Sequence, residues 1–596
     1  MRQPLAVIGI ALVAACGGAR APATTPSPAA GPAARVSGAV RAARDAVIRG
    51  TPVIPAGWTL QAAPVTAPKA MVVSGHPLAS AAGIEIIKQG GNAIDAAVAV
   101  GFALAVVLPD AGNIGGGGFI VHRSAAGDVQ ALDYRETAPG RASHDMYLDS
   151  AGNVTEQGLT GHLAPGVPGS VAGLYEAWKR QGSLPWATLL APAIRLAREG
   201  HVVDAERSED ITSDSSRLAR FPASRQQFLP GGHAPPRGTL WKQPDLARAL
   251  QLISDSGPDV FYRGQIAGLI VAEMQRGGGL ITKDDLRRYR PKWRTPIQLR
   301  YRGYTIYSMP PASSGGVTLG EILNIMEGYD TLPAFGTAAY THLLAESMRR
   351  AFMDRNRWLG DPDFVSMPLE RLLSKSYAAE LRAQIDPRRA TPTPPEAAGG
   401  SEAMHTTHYS IVDANGNAAS VTTTLNDGFG SAVTVTGGGF LLNDEMDDFT
   451  SAPGKPNMYG LVQGEANAIA PGRRMLSAMT PSIVLGRDGR LLMVLGTPGG
   501  PTIITTVAQV ILDVLDQGMS LPDAVAAPRV HHQALPDVIR YERGGLTDGA
   551  VALLREMGHE VEMRRSTSGI VAAIQRTAGG WVGVADPRYA GGAIGW

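Results

Sequence analysis

Thr406-Thr407-His408-Tyr409-Ser410-Ile411-Val412-Asp413-Ala414-Asn415-Gly416-Asn417-Ala418-Ala419-Ser420-Val421-Thr422-Thr423-Thr424 is the stretch from which the fold of this chain is read. Two β-prone runs, 408–413 and 418–424, flank Asn415-Gly416, a dipeptide that accepts the positive φ of a tight hairpin turn. Folding about that turn carries residues 423–426 back beside Thr406, with the register open by about one residue. Thr422, Thr424 and Asn426 therefore gather around Thr406. A threonine at a strand start, ringed by hydroxyls and amides, is a candidate nucleophile. It is also an ordinary strand residue, and the hairpin alone leaves both readings standing.

Outward from the hairpin, a polar, proline-rich stretch from Pro387 to Ser401 reads as an exposed connection. Before it lie helical patterns at 184–199, 266–276, 318–327 and 338–358, and a hairpin from Gln298 to Met309 turning at Arg302-Gly303. Earlier still, Met71-Val72-Val73 is a short strand, 77–90 a helix, and Asn92 caps an almost wholly apolar helix running from Asp95 to Leu108. Its length and Asp95 mark it as buried rather than membrane-spanning. Gly115 to Gly118 precede the strand-like Phe119-Ile120-Val121-His122, and 129–135 looks like its partner. After the nucleophile candidate, 482–486 and 491–496 form another hairpin, followed by an amphipathic helix from Pro501 to Leu515. The order predicts an α/β layered fold of helix, strand, strand and helix, an αββα sandwich.

The chain has 596 residues, 44% apolar and 18% charged, with a formal net charge of +1. That balance gives no global attraction toward nucleic acid or an anionic surface. The single cysteine, Cys16, excludes an intrachain disulfide framework or a cysteine-ligated zinc site. Met1-Arg2 followed by the apolar run Leu5 to Ala15 fits a signal peptide over residues 1–15. Val13-Ala14-Ala15-Cys16-Gly17 resembles a bacterial lipoprotein signal, in which cleavage precedes the cysteine and its sulfur receives a lipid. On that reading residues 16–60 are a tether, and the protein sits in the bacterial cell envelope, periplasmic or exported, with a lipid anchor as its membrane contact.

The ordered motifs carry a specific resemblance. Asn113-Ile114-Gly115-Gly116-Gly117-Gly118-Phe119, Tyr134-Arg135-Glu136-Thr137-Ala138-Pro139 and Thr406 to Tyr409 are followed by Leu441-Leu442-Asn443 with Met446-Asp447-Asp448-Phe449. Gly496-Thr497-Pro498-Gly499-Gly500, Ala527-Pro528-Arg529 and Asp586-Pro587-Arg588 complete the series. Over residues 68–590 this resembles the γ-glutamyltranspeptidase family of N-terminal-nucleophile hydrolases.

The resemblance implies self-cleavage between His405 and Thr406, dividing a large-subunit region, 61–405, from a small-subunit region, 406–596, that remain together as a heterodimer. The α-amino group so exposed has a pKa of about 7.7–8.0 in simple peptides and serves as the base for its own hydroxyl. The resemblance gives Thr424 the task of orienting that hydroxyl. Gly499-Gly500, by themselves a strand-to-helix turn, become the oxyanion hole at a helix start. Arg135, otherwise a surface ion pair, becomes a bidentate clamp for the donor's α-carboxylate. Glu445 and Asp448, with Asn426, suit the α-ammonium, because two close carboxylates repel unless a cation lies between them. Tyr459 belongs to a lid over 453–464 that governs access of water. The implied substrates are glutathione or other γ-glutamyl compounds, with amino acids, peptides or water as acceptors. No cofactor and no metal are implied; the adjacent His531-His532 point to opposite faces of a strand.

One departure stands out. Where the family presents two serines to the substrate carboxylate, this chain reads Leu476-Ser477-Ala478-Met479, preceded by Met475 in place of proline. Ser477 remains and Ala478 lacks the second hydroxyl. Two rival readings are weighed against the transpeptidase: a cephalosporin or glutaryl acylase, whose substrate has no ammonium for the acids to pair, and an inactive lipid-anchored binding protein.

Overall fold

The computed structural model describes residues 51–393, 406–564 and 568–596; Cys16 and His405 lie outside them. Two seven-stranded antiparallel sheets form the centre. In the first, the order is Gly592–Gly595, Met71–Ser74, Thr406–Val412, Ala418–Thr424, Gly117–Arg123, Val129–Asp133 and Lys292–Arg294. In the second it is Val65–Ala67, Gly580–Ala585, Ala572–Thr577, Leu491–Gly496, Ser482–Leu485, Tyr304–Ser308 and Ile297–Tyr301.

Strand alternation explains the layering. Tyr409, Ile411, Ala419 and Val421 pack outward with the helices Pro77–Lys88 and Ala93–Val107. Val412 and Ala418 point the other way, and meet Ile483, Val494 and Ile574 of the second sheet. Val484, Met493 and Leu495 of the second sheet turn outward under the helices Gly315–Glu327, Ala338–Trp358 and Thr502–Leu515. The result is the expected αββα sandwich.

The helix Ala93–Val107 is buried along its whole length, and Asn92 and Asp95 close a reciprocal capping box at its start. Its all-round apolar character is therefore the mark of an interior helix. Among the described residues no helix is long and apolar enough to cross a membrane. Packed chain also extends further back than a tether ending at residue 60 allows. The Val53 amide donates to the Phe335 carbonyl at 2.8 Å, and the Trp58 indole donates to the Ala526 carbonyl at 2.9 Å. A half-buried indole with a satisfied N–H holds this segment down, so a free tether ends before it.

Candidate active site

The hairpin strand begins two residues earlier than its β-prone run, at Thr406, because pairing continues until Thr406 stands opposite Thr424. Thr406, His408 and Ser410 share the face that looks toward the second sheet, and that buried row is polar. His408 Nδ1 lies 2.8 Å from Thr422 Oγ1, Ser410 Oγ donates to the Ala572 carbonyl at 2.9 Å, and Ser420 Oγ donates to the Leu495 carbonyl at 3.0 Å. The two serine hydroxyls find partners on the facing sheet and Thr422 finds His408 on its own, which is how such residues are tolerated in an interior. Burial holds His408 down at about 3, so it is a neutral ring at physiological pH.

Thr406 Oγ1 donates to Thr424 Oγ1 at 3.1 Å, and the same Thr424 oxygen accepts the Asn426 N–H at 2.8 Å. Asn426 adopts a left-handed φ of 81°. Its side-chain amide donates to the Asp444 carbonyl at 3.2 Å, and its Oδ1 accepts the Tyr459 hydroxyl at 3.0 Å. The glycine loop wedges in from behind. A Cβ on Gly116 would stand 2.1 Å from the Thr424 carbonyl oxygen, so only glycine fits there. That carbonyl accepts Asn113 Nδ2 at 2.9 Å.

Gly499 and Gly500 lie at the start of the helix Thr502–Leu515 with φ of 134° and 54°. Among the described residues neither amide N–H has a hydrogen-bond acceptor, and Gly500 lines the same cavity as Thr406. A Cβ on Gly500 would lie 2.8 Å from the Tyr459 ring, which covers this side of the cavity. Tyr459 is held by its hydroxyl bond to the Asn426 carbonyl, 2.9 Å, and by Gln533 Nε2 donating to its own carbonyl, 3.1 Å. His531 Nε2 in turn lies 2.9 Å from Gln533 Oε1. The histidine pair thus includes a prop for the segment that carries Tyr459, which sequence reading missed.

Across the cavity, Arg135 is 1% exposed, with Nη1 donating to Glu445 at 2.5 Å and Nη2 to Asp448. Arg135 gives one N–H of each terminal nitrogen to the two acids, and is a cation that relieves their repulsion. Burial raises Glu445 to about 7, against the lowering influence of Arg135. Burial and the neighbouring Asp448 raise Asp447 to about 7 as well. Asp447 accepts the backbone amide of Met458, next to Tyr459, at 3.1 Å. Ser477 and Ala478 line the same cavity, and the Ser477 carbonyl is tied down by Ser314 Oγ at 2.7 Å.

The structure therefore brings together Thr406, Thr424, Asn426, Glu445, Asp448, Arg135, Ser477, Ala478, Tyr459 and Gly500 around one cavity, with Gly499 beside it. A second cavity, lined by Thr407, His408, Asp110, Pro498 and Tyr589, reaches Thr406 from the other side. Arg355, another lining residue of the first cavity, was not anticipated. Among the described residues His342, Glu346 and His559 bring three possible metal ligands together. They line neither cavity, and Glu346 is already paired with Arg349 and Arg350.

A strand-initial threonine facing the space between two antiparallel sheets, with helices outside both, defines the N-terminal-nucleophile hydrolase class. Comparison with known proteins narrows this. The gamma-glutamyltranspeptidase family profile matches residues 79–596. A glutathione hydrolase proenzyme of Escherichia coli (strain K12) is 45% identical over 531 residues, covering 88% of this chain and 91% of its own. A crystal structure of Helicobacter pylori gamma-glutamyltranspeptidase matches 57% of this chain and 95% of its own, with 43% identity and a TM-score of 0.53. A cephalosporin acylase from Bacillus halodurans covers 91% of this chain and 98% of its own at 28% identity, with a TM-score of 0.80. The chain belongs to the γ-glutamyltranspeptidase family.

Proposed function

We propose that this protein is made as a precursor, cuts itself before Thr406, and uses the freed threonine to hydrolyse or transfer γ-glutamyl groups, as a glutathione hydrolase does. In the first reaction Thr406 Oγ attacks the His405 carbonyl, the acyl group moves from nitrogen to oxygen, and water hydrolyses the ester. The products are a His405 carboxylate and a free Thr406 amine. In the second, that amine takes the Oγ proton as Oγ attacks the γ-carbonyl of the donor. The Gly499 and Gly500 N–H groups, unclaimed among the described residues, receive the oxyanion. The departing amine carries the proton away and leaves a γ-glutamyl ester on Thr406, which water or the amine of an amino acid or peptide then attacks.

The observation that carries this reading is the pairing of Thr406 with Thr424 at 3.1 Å on the wall of a cavity that also holds Glu445 and Asp448. Those two acids favour a donor with an α-ammonium over the glutaryl donor of an acylase. Arg135 between them fixes their geometry, and Asn426, Ser477 and the Tyr459 lid complete the enclosure. The deciding assay compares a γ-glutamyl anilide with its glutaryl analogue on purified, processed protein. Preference for the γ-glutamyl donor is expected; preference for the glutaryl donor overturns the reading in favour of an acylase. A single uncleaved band without activity overturns it in favour of a binding protein.

Residues 1–15 serve in the same proposal as a signal, Cys16 as a lipid attachment point, and the segment after it as a tether in the cell envelope. The sequence Val13 to Cys16 supports this. Cys16→Ser should release the protein from membranes or leave it unprocessed; unchanged membrane association removes the lipid as anchor.

A further inference from the structure

The run Arg287-Arg288-Tyr289-Arg290-Pro291-Lys292-Trp293-Arg294 puts five cations into eight residues of a chain whose formal net charge is only +1. It leads from the helix Lys283–Arg288 into Lys292–Arg294, the edge strand of the first sheet. Positive charge on an edge strand guards it against pairing with another chain, and that would account for the strand by itself. It does not account for what lies beside the strand. Arg288, Arg290 and Lys292 line a cavity of about 540 Å³, and a fourth cation, Arg474, reaches the same cavity from a segment far along the chain. The volume is that of a small-molecule site. This cavity shares no lining residue with the two at Thr406.

The acids nearby do not cancel this charge. Asp285 is the one carboxylate in the lining, and it stands 3.9 Å from Arg288. Its oxygens already accept the Thr282 N–H at 2.9 Å, the Thr282 hydroxyl at 2.6 Å and the Gly140 N–H at 2.9 Å. Outside the lining, Asp363 is shared by Lys292 at 2.6 Å, Arg294 at 2.7 Å and Arg474 at 3.9 Å. Asp133 is shared by Arg294 at 3.1 Å and Arg474 at 3.2 Å, and Asp361 lies 4.0 Å from Arg294. Five cations thus share four carboxylates, of which one lines the cavity. Arg290 is exposed and forms no ion pair with any described residue. Its Nη1 donates to the Arg287 and Tyr289 carbonyls at 2.8 and 2.6 Å. The Arg474 side chain is 4% exposed, and its buried Nε makes no hydrogen bond to any described residue.

We propose that this cavity is a second ligand site, separate from the Thr406 centre, for a phosphate oxyanion, carried either by inorganic phosphate or by a lipid headgroup. Guanidinium forks pair with phosphate oxygens two at a time, and a lysine adds a compact charge without a fixed direction. The cations come from the end of a helix, the loop after it, an edge strand and the distant Arg474 segment. Donors gathered from separate segments suit a tetrahedral group, whose oxygens point several ways, better than a flat carboxylate. The site is independent of what Thr406 does.

Calorimetric titration of the whole protein with inorganic phosphate, at fixed ionic strength so that screening is constant, reads the free ion. Wild type should bind it saturably, and Arg288→Gln/Arg290→Gln should bind it roughly tenfold more weakly or worse. Both side chains are exposed and line neither cavity at Thr406, so turnover without phosphate should be unchanged. A control pair, Arg195→Gln/Arg248→Gln, removes two exposed cations elsewhere and should bind as wild type does. Flotation with phosphatidylglycerol and with phosphatidylcholine vesicles reads the lipid source. Comparing the two vesicles cancels any membrane contact made by the N-terminal segment. Saturable phosphate binding lost in the double variant supports the site with a free ion. An excess on phosphatidylglycerol that the double variant loses, without binding of inorganic phosphate, supports it with a lipid headgroup. Neither effect, or equal losses in the control pair, would leave only edge-strand charge and overturn the proposal. If the double variant fails to fold, Arg290→Gln alone decides by the same two measurements.

Discussion

The two walls of the cavity at Thr406 each contain a fully buried arginine, yet they are built on opposite electrostatic plans. On one wall Arg135 is enclosed by Glu445 and Asp448, and the excess charge is negative. On the other Arg355 is held by a serine, an asparagine and a glutamine, with Asp448 acting on it only as a charge without an ion-pair contact. A buried cation among acids is stable in the empty protein, whereas one among neutral dipoles is stabilised further by an incoming anion. The first wall therefore balances its cation with ion-paired acids, whereas the second surrounds its cation with neutral hydrogen-bond partners. The same arginine, read in isolation from sequence, gives no sign of which role it plays.

The strongest way to separate walls from chemistry is to remove the nucleophile. Thr406→Ala leaves both walls intact, so it should remain one uncleaved chain and lose at least ~10³-fold in turnover. Gel electrophoresis and the anilide assay check this, and N-terminal sequencing of active protein that begins elsewhere than Thr406 would dismiss the nucleophile.

Next in size is Asp448→Ala, which breaks the ion-paired wall. Leaving one side of a buried pair alone costs about 3–5 kcal/mol, part in folding and part in catalysis. The melting temperature should fall, and kcat/KM for the γ-glutamyl donor should drop by roughly 10²-fold, with a smaller drop for the glutaryl donor that has no ammonium to lose. An equal drop for both donors would strip Asp448 of its contact with substrate.

Ala478→Ser tests the other wall by adding a hydroxyl where the carboxylate is expected. Its donor KM should fall by a factor corresponding to about 0.5–1.5 kcal/mol, with kcat little changed because the carboxylate is remote from the scissile bond. A raised KM would mean that position 478 does not face the carboxylate.

The smallest effect concerns the lid. The Asp447 carboxyl, near 7 in the fold, lies above the ordinary carboxylate value of about 3.9. The folded protein therefore holds that proton more tightly than the unfolded chain, and the stability it contributes is full below about pH 4 and lost as pH rises through 7. Asp447→Asn cannot titrate, so its melting temperature should fall less than that of the wild type between pH 5.5 and 8. Parallel curves would place Asp447 in a wetter setting than its 8% exposure indicates.

How much of this was legible beforehand follows from the range of each interaction. The hairpin was readable because Asn415-Gly416 and strand alternation are local, and its exact register, Thr406 opposite Thr424, was nearly fixed by them. The glycine loop and Gly499-Gly500 were readable as special backbone, for only glycine accepts such close approach. Arg355 was not, because it sits on a helix face like many other arginines. Its partners Ser314 and Gln463 come from two distant segments.

By itself, then, the sequence determined the layered fold and the family, since these depend on periodicity, turn chemistry and ordered motifs. Only the tertiary structure decided that Arg135 is ion-paired with Glu445 and Asp448 and that Arg355 is not. It also decided that Gln533 props the backbone at Tyr459 and that the packed chain begins before Trp58. The physical reason is that the energy of a buried charge is set by whatever surrounds it in space. For Arg135 those neighbours, and for Arg355 the partner Gln463, are contributed by segments more than a hundred residues away along the chain.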